Sequence, residues 1–338
     1  MKSVLIVGAG GFIGGFIAKR ALELGYDTTV GVRKSTSRRY LSDERLKFLE
    51  FDYDDSEAME AVLGSVSAKW DYIIYNLGAT KCTNFLDFNR INFQYLRSFG
   101  EALKATGKVP EKFLFASSLS AAGPGDEKTY APIKESDYPC PNTRYGLSKI
   151  KAEQWLETQS GLPWIIFRTT GVYGPHEEDY LMMIKSIDRH FDFGVGYRKQ
   201  MLTFIYVEDL VDAMFMALEK APIKHRYNIA ESRSYTQKEF REIVARKLGR
   251  SFVVPIRVPL WGLKLVSYIA QQVGAFSGKP STLNLDKYNI MKQRNWNCTT
   301  DAAAADFGFT ASTDLDAGIE KTVRAYREQK LAAKQKSE

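Results

Sequence analysis

"SVLIVGAGGFIG", Ser3 to Gly14, runs a short apolar stretch straight into glycines at positions 8, 11 and 14. Ser3 to Val7 has the composition of a buried strand, and the apolar spacing of Ile17, Ala18, Ala21 and Leu22 that follows is helical. A strand, a glycine turn and a helix make the unit whose backbone N–H groups and helix N-terminus hold a pyrophosphate. Gly8 allows the sharp turn, Gly11 admits a phosphate close to the backbone, and Gly14 lets helix and strand pack tightly. Phe12 and Ile13 belong to the same cradle.

The next strand, Asp27 to Val32, decides which dinucleotide is expected. An NAD site ends this strand with a carboxylate for the ribose hydroxyls, whereas NADP needs positive charge for its 2′-phosphate. Here Arg33 stands at that distance, with Lys34, Arg38 and Arg39 behind it, so NADP is favoured over NAD. A solvated basic loop would account for Arg38 and Arg39 but not for the missing carboxylate. Further strands follow at α/β spacing: Leu46 to Phe51, leading to Asp52 and Tyr53 as adenine-side contacts, and Asp71 to Asn76, leading to Leu77-Gly78-Ala79. Small residues there let a cofactor pass over the strand end. Ile91 to Ala105 reads as a helix and Lys112 to Ser117 as a strand. This alternation predicts an α/β fold, a Rossmann-type doubly wound parallel sheet with ligands at the carboxyl ends of its strands, and a smaller, mainly helical C-terminal lobe.

"NTRYGLSKIKAEQWLE" reads as a helix with Tyr145, Lys149, Ala152 and Leu156 along one stripe. A tyrosine ordinarily titrates near 10, so acid–base work at neutral pH asks for a shift of about 3 units, roughly 4 kcal/mol. A lysine one turn away is expected to supply part of it. The strand "FLFASS" brings Ser117 and Ser118 to the same sheet edge as the glycine turn, where a hydroxyl can hold a substrate oxygen. Taken singly, each has a plain structural reading: a turn serine, a packing tyrosine, a surface lysine. Together on a cofactor-binding sheet they read as catalytic.

On "GAGGFIG", "FASS", "YGLSK", "RTTGVYGP" and "FIYVEDLVDAM", in that order, the chain resembles the extended short-chain dehydrogenases/reductases, the superfamily of nucleotide-sugar epimerases, dihydroflavonol-type reductases and 3β-hydroxysteroid dehydrogenases. The resemblance implies Tyr145 as general acid/base, Lys149 as binder of the nicotinamide ribose, Ser118 as orienter of the carbonyl and Asn92 as a support at the cofactor site. Tyr95 and Asn76 depart from the family pattern. A homodimer is an assembly common in this superfamily.

The reaction is less specific. "SSLSAAG" offers hydroxyls but no Asp-Glu pair to expel water, which disfavours a dehydratase. Sugar-nucleotide enzymes of this type place an arginine just before the "FIYV" aromatic. This chain has Met201-Leu202-Thr203 there, with Arg198 and Lys199 slightly earlier. The expectation is therefore an NADP-dependent oxidoreductase interconverting a ketone and a secondary alcohol on a small apolar or alicyclic substrate. A nucleotide-sugar epimerase and a non-catalytic NADP-binding sensor or scaffold stay open. Thr80, Ser120, Tyr173, His176 and Trp261 are candidate substrate residues, and Leu265, Tyr268 and Ile269 could join Trp261 in a lid over an apolar pocket. The division expected is a cofactor domain at 1–175 with 201–232 returning to it, a substrate lobe at 176–200 and 233–313, and a C-terminal helix with a basic tail at 314–338.

Bulk properties narrow the partners. The 338 residues carry a net charge of +7, concentrated in the loop after Val32 and in the tail, without the interleaved aromatics of a nucleic-acid surface. Three scattered cysteines and three histidines suggest neither a disulfide framework nor a metal, and a reducing, cytoplasmic setting is expected. The glycines of the first twenty residues argue against a signal peptide. Val258 to Phe276 is too interrupted by Pro259, Lys264 and Gln271-Gln272 for stable membrane insertion.

Overall fold

A computed structural model describes residues 1–82, 84–277, 281 and 283–335, so the end of the basic tail lies outside the described residues. In chain order come β1 (Ser3–Val7), α1 (Phe12–Glu23), β2 (Asp27–Val32), β3 (Lys47–Glu50), α2 (Ser56–Ser65) and β4 (Tyr72–Tyr75). There follow α3 (Leu86–Asn89), a π-helical turn (Arg90–Gln94), α4 (Tyr95–Ala105), β5 (Lys112–Ser118), a 3₁₀ turn (Leu119–Ala121), α5 (Arg144–Thr158) and β6 (Trp164–Thr169). Next are β7 (Gly171–Tyr173), α6 (Glu178–Asp188), β8 (Phe191–Val195), β9 (Met201–Tyr206), α7 (Val207–Lys220) and β10 (His225–Ile229). The chain ends with β11 (Ser234–Thr236), α8 (Gln237–Leu248), β12 (Val254–Val258), α9 (Leu260–Ser277), α10 (Leu285–Met291), β13 (Asn295–Trp296), α11 (Asp301–Phe307) and α12 (Leu315–Gln335).

Seven parallel strands form the main sheet in the order β10-β6-β5-β4-β1-β2-β3. The chain builds outward from β1 to β3, then returns to the other side of β1 with β4. That reversal makes the β1/β4 crevice the ligand-binding position of a doubly wound sheet. Both faces are covered, and the strands alternate accordingly: Val4 and Ile6 pack under α1 and α7, while Leu5 and Val7 join Met59, Leu96 and Phe99 on the opposite face.

The second lobe has a small four-stranded sheet, in which β9 pairs with β11, β13 and β7, and a separate two-stranded one of β8 and β12. Within 201–232, β9 thus belongs to the small sheet, whereas α7 and β10 rejoin the large one. The lobe's core gathers Tyr173, Phe204, Tyr206, Tyr235, Phe240 and the start of α12.

Glu231, at the edge of this core, is 4% exposed. It accepts from the Tyr235 hydroxyl at 3.2 Å and leaves its other oxygen without a partner. Burial pushes its carboxyl up to about 8. The folded protein therefore keeps this proton to about pH 8 while the unfolded chain releases it near 4.5, so stability from this group is present below 4.5 and lost as pH rises toward 8. Glu231→Gln, which mimics the protonated form, is expected to raise stability at pH 8 by a few kcal/mol, on the order of 2 to 4, and to gain nothing near pH 4.5. Melting temperatures across that range test this; parallel curves for the two proteins would contradict it.

Candidate active site

The glycine turn closes the β1/β4 crevice from one side. Gly8 has φ +85°, and a side chain there would meet the Leu77 backbone nitrogen at 2.6 Å, so the two strand ends can meet only through a glycine. A Cβ on Gly14 would strike the Gly8 carbonyl oxygen at 2.3 Å, which makes it the close helix–strand contact. Gly11 is different: a Cβ would find nothing nearer than the Gly8 oxygen at 3.8 Å. No protein atom demands glycine at this position, so the cradle has room for a pyrophosphate at the amino end of α1. Phe12 and Ile13 form the first helical turn behind it.

The basic loop after β2 folds back over this turn. A Cβ on Gly10 would meet the Thr36 methyl at 2.1 Å, and one on Gly15 would meet Tyr40 at 2.6 Å. Arg33 and Thr36 close a tight turn through paired bonds of 2.9 and 2.8 Å, which leaves the Arg33 and Lys34 side chains exposed beside the cradle. Arg38 is engaged elsewhere, with Glu50 at 3.4 Å and its guanidinium over the Phe48 ring at 4.4 Å. It faces the outer edge of β3 instead of the cradle. Asp52 is exposed at the end of β3. Tyr53 is buried against Tyr95 with ring centroids 5.5 Å apart, so its ring is a wall and not a contact open to a ligand.

On the other side stands α5. Its first turn is capped twice: Thr143 accepts from Gly146 N at 2.9 Å, and the Asp286 carboxylate of α10 accepts from Arg144 N at 2.8 Å and Tyr145 N at 3.0 Å. Tyr145, half-buried, packs edge-on to Phe88 at 6.1 Å. Burial raises its phenol above the ordinary tyrosine range, and the adjacent Ser118 hydroxyl pulls the other way. Lys149 was expected to depress this phenol, but its ammonium is turned instead to the Ala116 carbonyl at 2.8 Å, over the Phe115 ring at 4.8 Å. Burial brings Lys149 down to about 8, with Glu153 opposing the fall. Its nitrogen lies 3.0 Å from where a Cβ on Gly78 would stand, so it faces the crevice floor. One of its three N–H donors is used and the others suit ribose hydroxyls.

Asn92, fully buried in the π-helical turn, accepts from Ala79 N at 2.7 Å and donates to Ala79 O at 3.0 Å and Ser148 Oγ at 2.9 Å. Ser148 in turn donates to the Tyr145 carbonyl at 2.7 Å. Asn92 therefore ties the Leu77-Gly78-Ala79 segment to α5 and offers no free group to a ligand. Beneath them Glu153 and Arg168, both fully buried, pair at 2.6 Å, and Ser117 donates to Glu153. Glu153 lies four residues past Lys149, a spacing that announces it. Asp286 acts across a separation of 141 residues, and no local pattern could announce that.

The candidate substrate residues divide. Thr80 is exposed after Ala79, and Ser120 sits beside Ser118, whose Oγ accepts from Ser120 N at 3.2 Å. Tyr173 is wholly buried in the lobe core, with its hydroxyl on the Asp314 carbonyl, so it cannot line a site. His176 packs on Tyr40 of the basic loop at 5.3 Å and meets Gln329. Trp261, Leu265, Tyr268 and Ile269 point to solvent on α9, which removes the lid they were expected to form.

The profile of the NAD dependent epimerase/dehydratase family matches residues 4–230. A trifunctional UDP-glucose 4,6-dehydratase/UDP-4-keto-6-deoxy-D-glucose 3,5-epimerase/UDP-4-keto-L-rhamnose-reductase of Arabidopsis thaliana is 26% identical over 273 residues, 74% of this chain but 39% of that protein. The chain thus spans about two fifths of the length of that plant relative. A ceramide reductase of Caulobacter vibrioides is 23% identical over 326 residues, 96% of this chain and 94% of the relative. Among solved structures, UDP-glucose 4-epimerase of Thermotoga maritima shares the fold with a TM-score of 0.77 at 20% identity, covering 97% of this chain and 99% of that one.

Proposed function

This chain belongs to the NAD dependent epimerase/dehydratase family, NAD(P)-dependent enzymes of the extended short-chain dehydrogenase/reductase type, and from that premise we propose that it is an NADP-dependent reductase of a ketone on an apolar lipid of the ceramide class. The observation that carries the apolar substrate is the state of the cations around α5. Lys81 and Lys287 both bind Asp179, at 2.7 and 2.9 Å. Arg294 is buried on the carbonyls of Val195, Met291 and Lys292. A sugar-nucleotide diphosphate wants such cations free. The end-to-end match to a ceramide reductase supports the same reading. The proposed division is a cofactor domain at 1–170, joined by α7, β10 and α11, and a substrate lobe that takes in β7 and the start of α12, which moves both ends of the expected boundaries.

Gly8, Gly11, Phe12, Ile13 and Gly14 would hold the pyrophosphate, Arg33 and Lys34 the 2′-phosphate, Leu77-Gly78-Ala79 the passage over the strand end, and Lys149 the nicotinamide ribose. When bound, the dinucleotide supplies the hydride that adds to the carbonyl carbon. Tyr145 gives its phenolic proton to the carbonyl oxygen while Ser118 holds that oxygen, so the C=O becomes a CH–OH. The phenol carries the proton that reduction needs, while burial, which raises it above its ordinary range, works against the downward shift that acid–base work at neutral pH asks for.

The experiment follows NADPH and NADH oxidation with a long-chain N-acyl amino ketone in detergent micelles, with UDP-glucose interconversion in parallel. Ketone-dependent NADPH oxidation is expected. A nucleotide-sugar epimerase is the second reading, favoured by the epimerase activity named for the plant relative, and sugar conversion without ketone reduction would establish it instead. For the cofactor, Arg33→Asp is expected to weaken NADPH by about tenfold to a hundredfold more than NADH, the scale of a charge-assisted hydrogen bond. Fluorescence titration measures both, and equal losses would remove Arg33 from the phosphate site.

A further inference from the structure

α9 presents its apolar side outward. Its buried stripe is narrow, consisting of Leu263, Ser267 and Gly274, while Trp261, Leu265, Ile269, Val273 and Phe276 are 74%, 53%, 52%, 63% and 97% exposed. The steps between these five positions are mostly four residues, so they run along one side of the helix. Contiguous exposure of this kind marks an interaction surface.

We propose that this face docks on an anionic lipid surface. Charge selects the occupant. Lys264 is the only charged residue of α9, and the sequence carries no carboxylate between Glu242 and Asp286. At the helix's first turn, Leu260 lies 3.7 Å from where a Cβ on Gly196 would stand, which brings the exposed Tyr197, Arg198 and Lys199 alongside, Arg198 with Glu127 at 3.9 Å and Lys199 over the Tyr130 ring at 5.7 Å. An apolar stripe rimmed by cations, with Trp261 and Tyr268 as amphipathic aromatics, matches a helix lying in an anionic headgroup layer. A second copy docked by the same face would set these cations against their own equivalents. No helix among the described residues is long and apolar enough to cross a membrane, so the contact is with the surface.

The position has a consequence for the site. α9 packs on α10, and Asp286 of α10 holds the Tyr145 backbone N–H at 3.0 Å. The docked surface thus lies one helix from the catalytic phenol. The docking rests on the exposed face and its charge; that the lipid layer also delivers substrate rests on the lipid-ketone reading.

Full-length protein would be floated with vesicles of phosphatidylcholine alone or with phosphatidylglycerol added, neither containing substrate, so that failure of docking and failure of the substrate reading are separate results. Binding is expected to be about tenfold or more stronger with phosphatidylglycerol and to weaken with salt. Leu265→Glu/Ile269→Glu should abolish it while melting temperature and NADPH affinity stay unchanged. Lys199→Glu/Lys264→Glu keeps the apolar face and should lose the preference for phosphatidylglycerol. Absence of binding to either vesicle, equal binding by both variants and wild type, or conversion of a dimer to a monomer by the first variant without vesicle binding in the wild type would overturn the proposal, the last by assigning the face to a second copy.

Discussion

Tyr145→Phe is expected to lower kcat by about a hundredfold to ten-thousandfold, the range for removal of a positioned general acid. NADPH affinity should stay within about twofold: Tyr145 is also expected among the cofactor-binding residues, but the substitution keeps its ring, removes only the phenolic hydroxyl and leaves the fold intact. The phenyl ring keeps its contact with Phe88, the Asp286 and Thr143 caps act on backbone N–H groups that remain, and Lys149 keeps its bond to Ala116. What goes is the phenolic hydroxyl beside Ser118, the proton donor of the proposed reaction. Single-turnover kinetics with the best ketone, beside a binding titration, separates chemistry from affinity. Retained turnover would mean that the proton comes from another group. Wild-type protein that binds NADPH yet turns over neither ketones nor sugars would point to a sensor.

The parts of this site that were legible in the sequence are those written by local geometry. The strand at Ser3–Val7, its glycine turn and the strand at Asp27–Val32 depend on short-range alternation and on residues that must be small. The Tyr145–Lys149 face follows from helical periodicity alone. Partners chosen across the chain were not legible. β9 follows the cofactor half in sequence but pairs with β7, β11 and β13, because strand pairing is settled by which edge is open and not by neighbouring residues. Arg38 has the same composition cue as Arg33, yet Glu50 and Phe48 on β3 take it away from the cradle. α9 reads as an apolar helix in either environment, and only its packing reveals that most of it is uncovered. Asp286 carries no signal of its own, since a carboxylate capping another helix looks like any first-turn acid.

The buried pair under the site gives the largest expected effect on stability. Glu153 and Arg168 are wholly buried and joined by contacts of 3.0 and 2.6 Å, with Ser117 donating to the same carboxylate and Arg168 Nη1 left without a partner. Removing either member alone, as Glu153→Met or Arg168→Met, strands an unpaired charge in the core and should cost about 3 to 5 kcal/mol. Removing both, as Glu153→Met/Arg168→Met, should recover most of that loss, since two apolar side chains of similar volume need no solvation. Urea unfolding of the three variants closes the cycle, and single variants within about 1 kcal/mol of wild type would show that the pair is not stabilising as a unit. The double variant also separates structure from charge. Glu153 opposes the fall that burial imposes on Lys149, so its loss should carry the lysine below about 8 even where stability has returned. If Lys149 holds the ribose as an ammonium, the double variant then folds normally but loses NADPH affinity at a lower pH than wild type does. An unchanged pH dependence would confine the pair to holding α5 against β5 and β6.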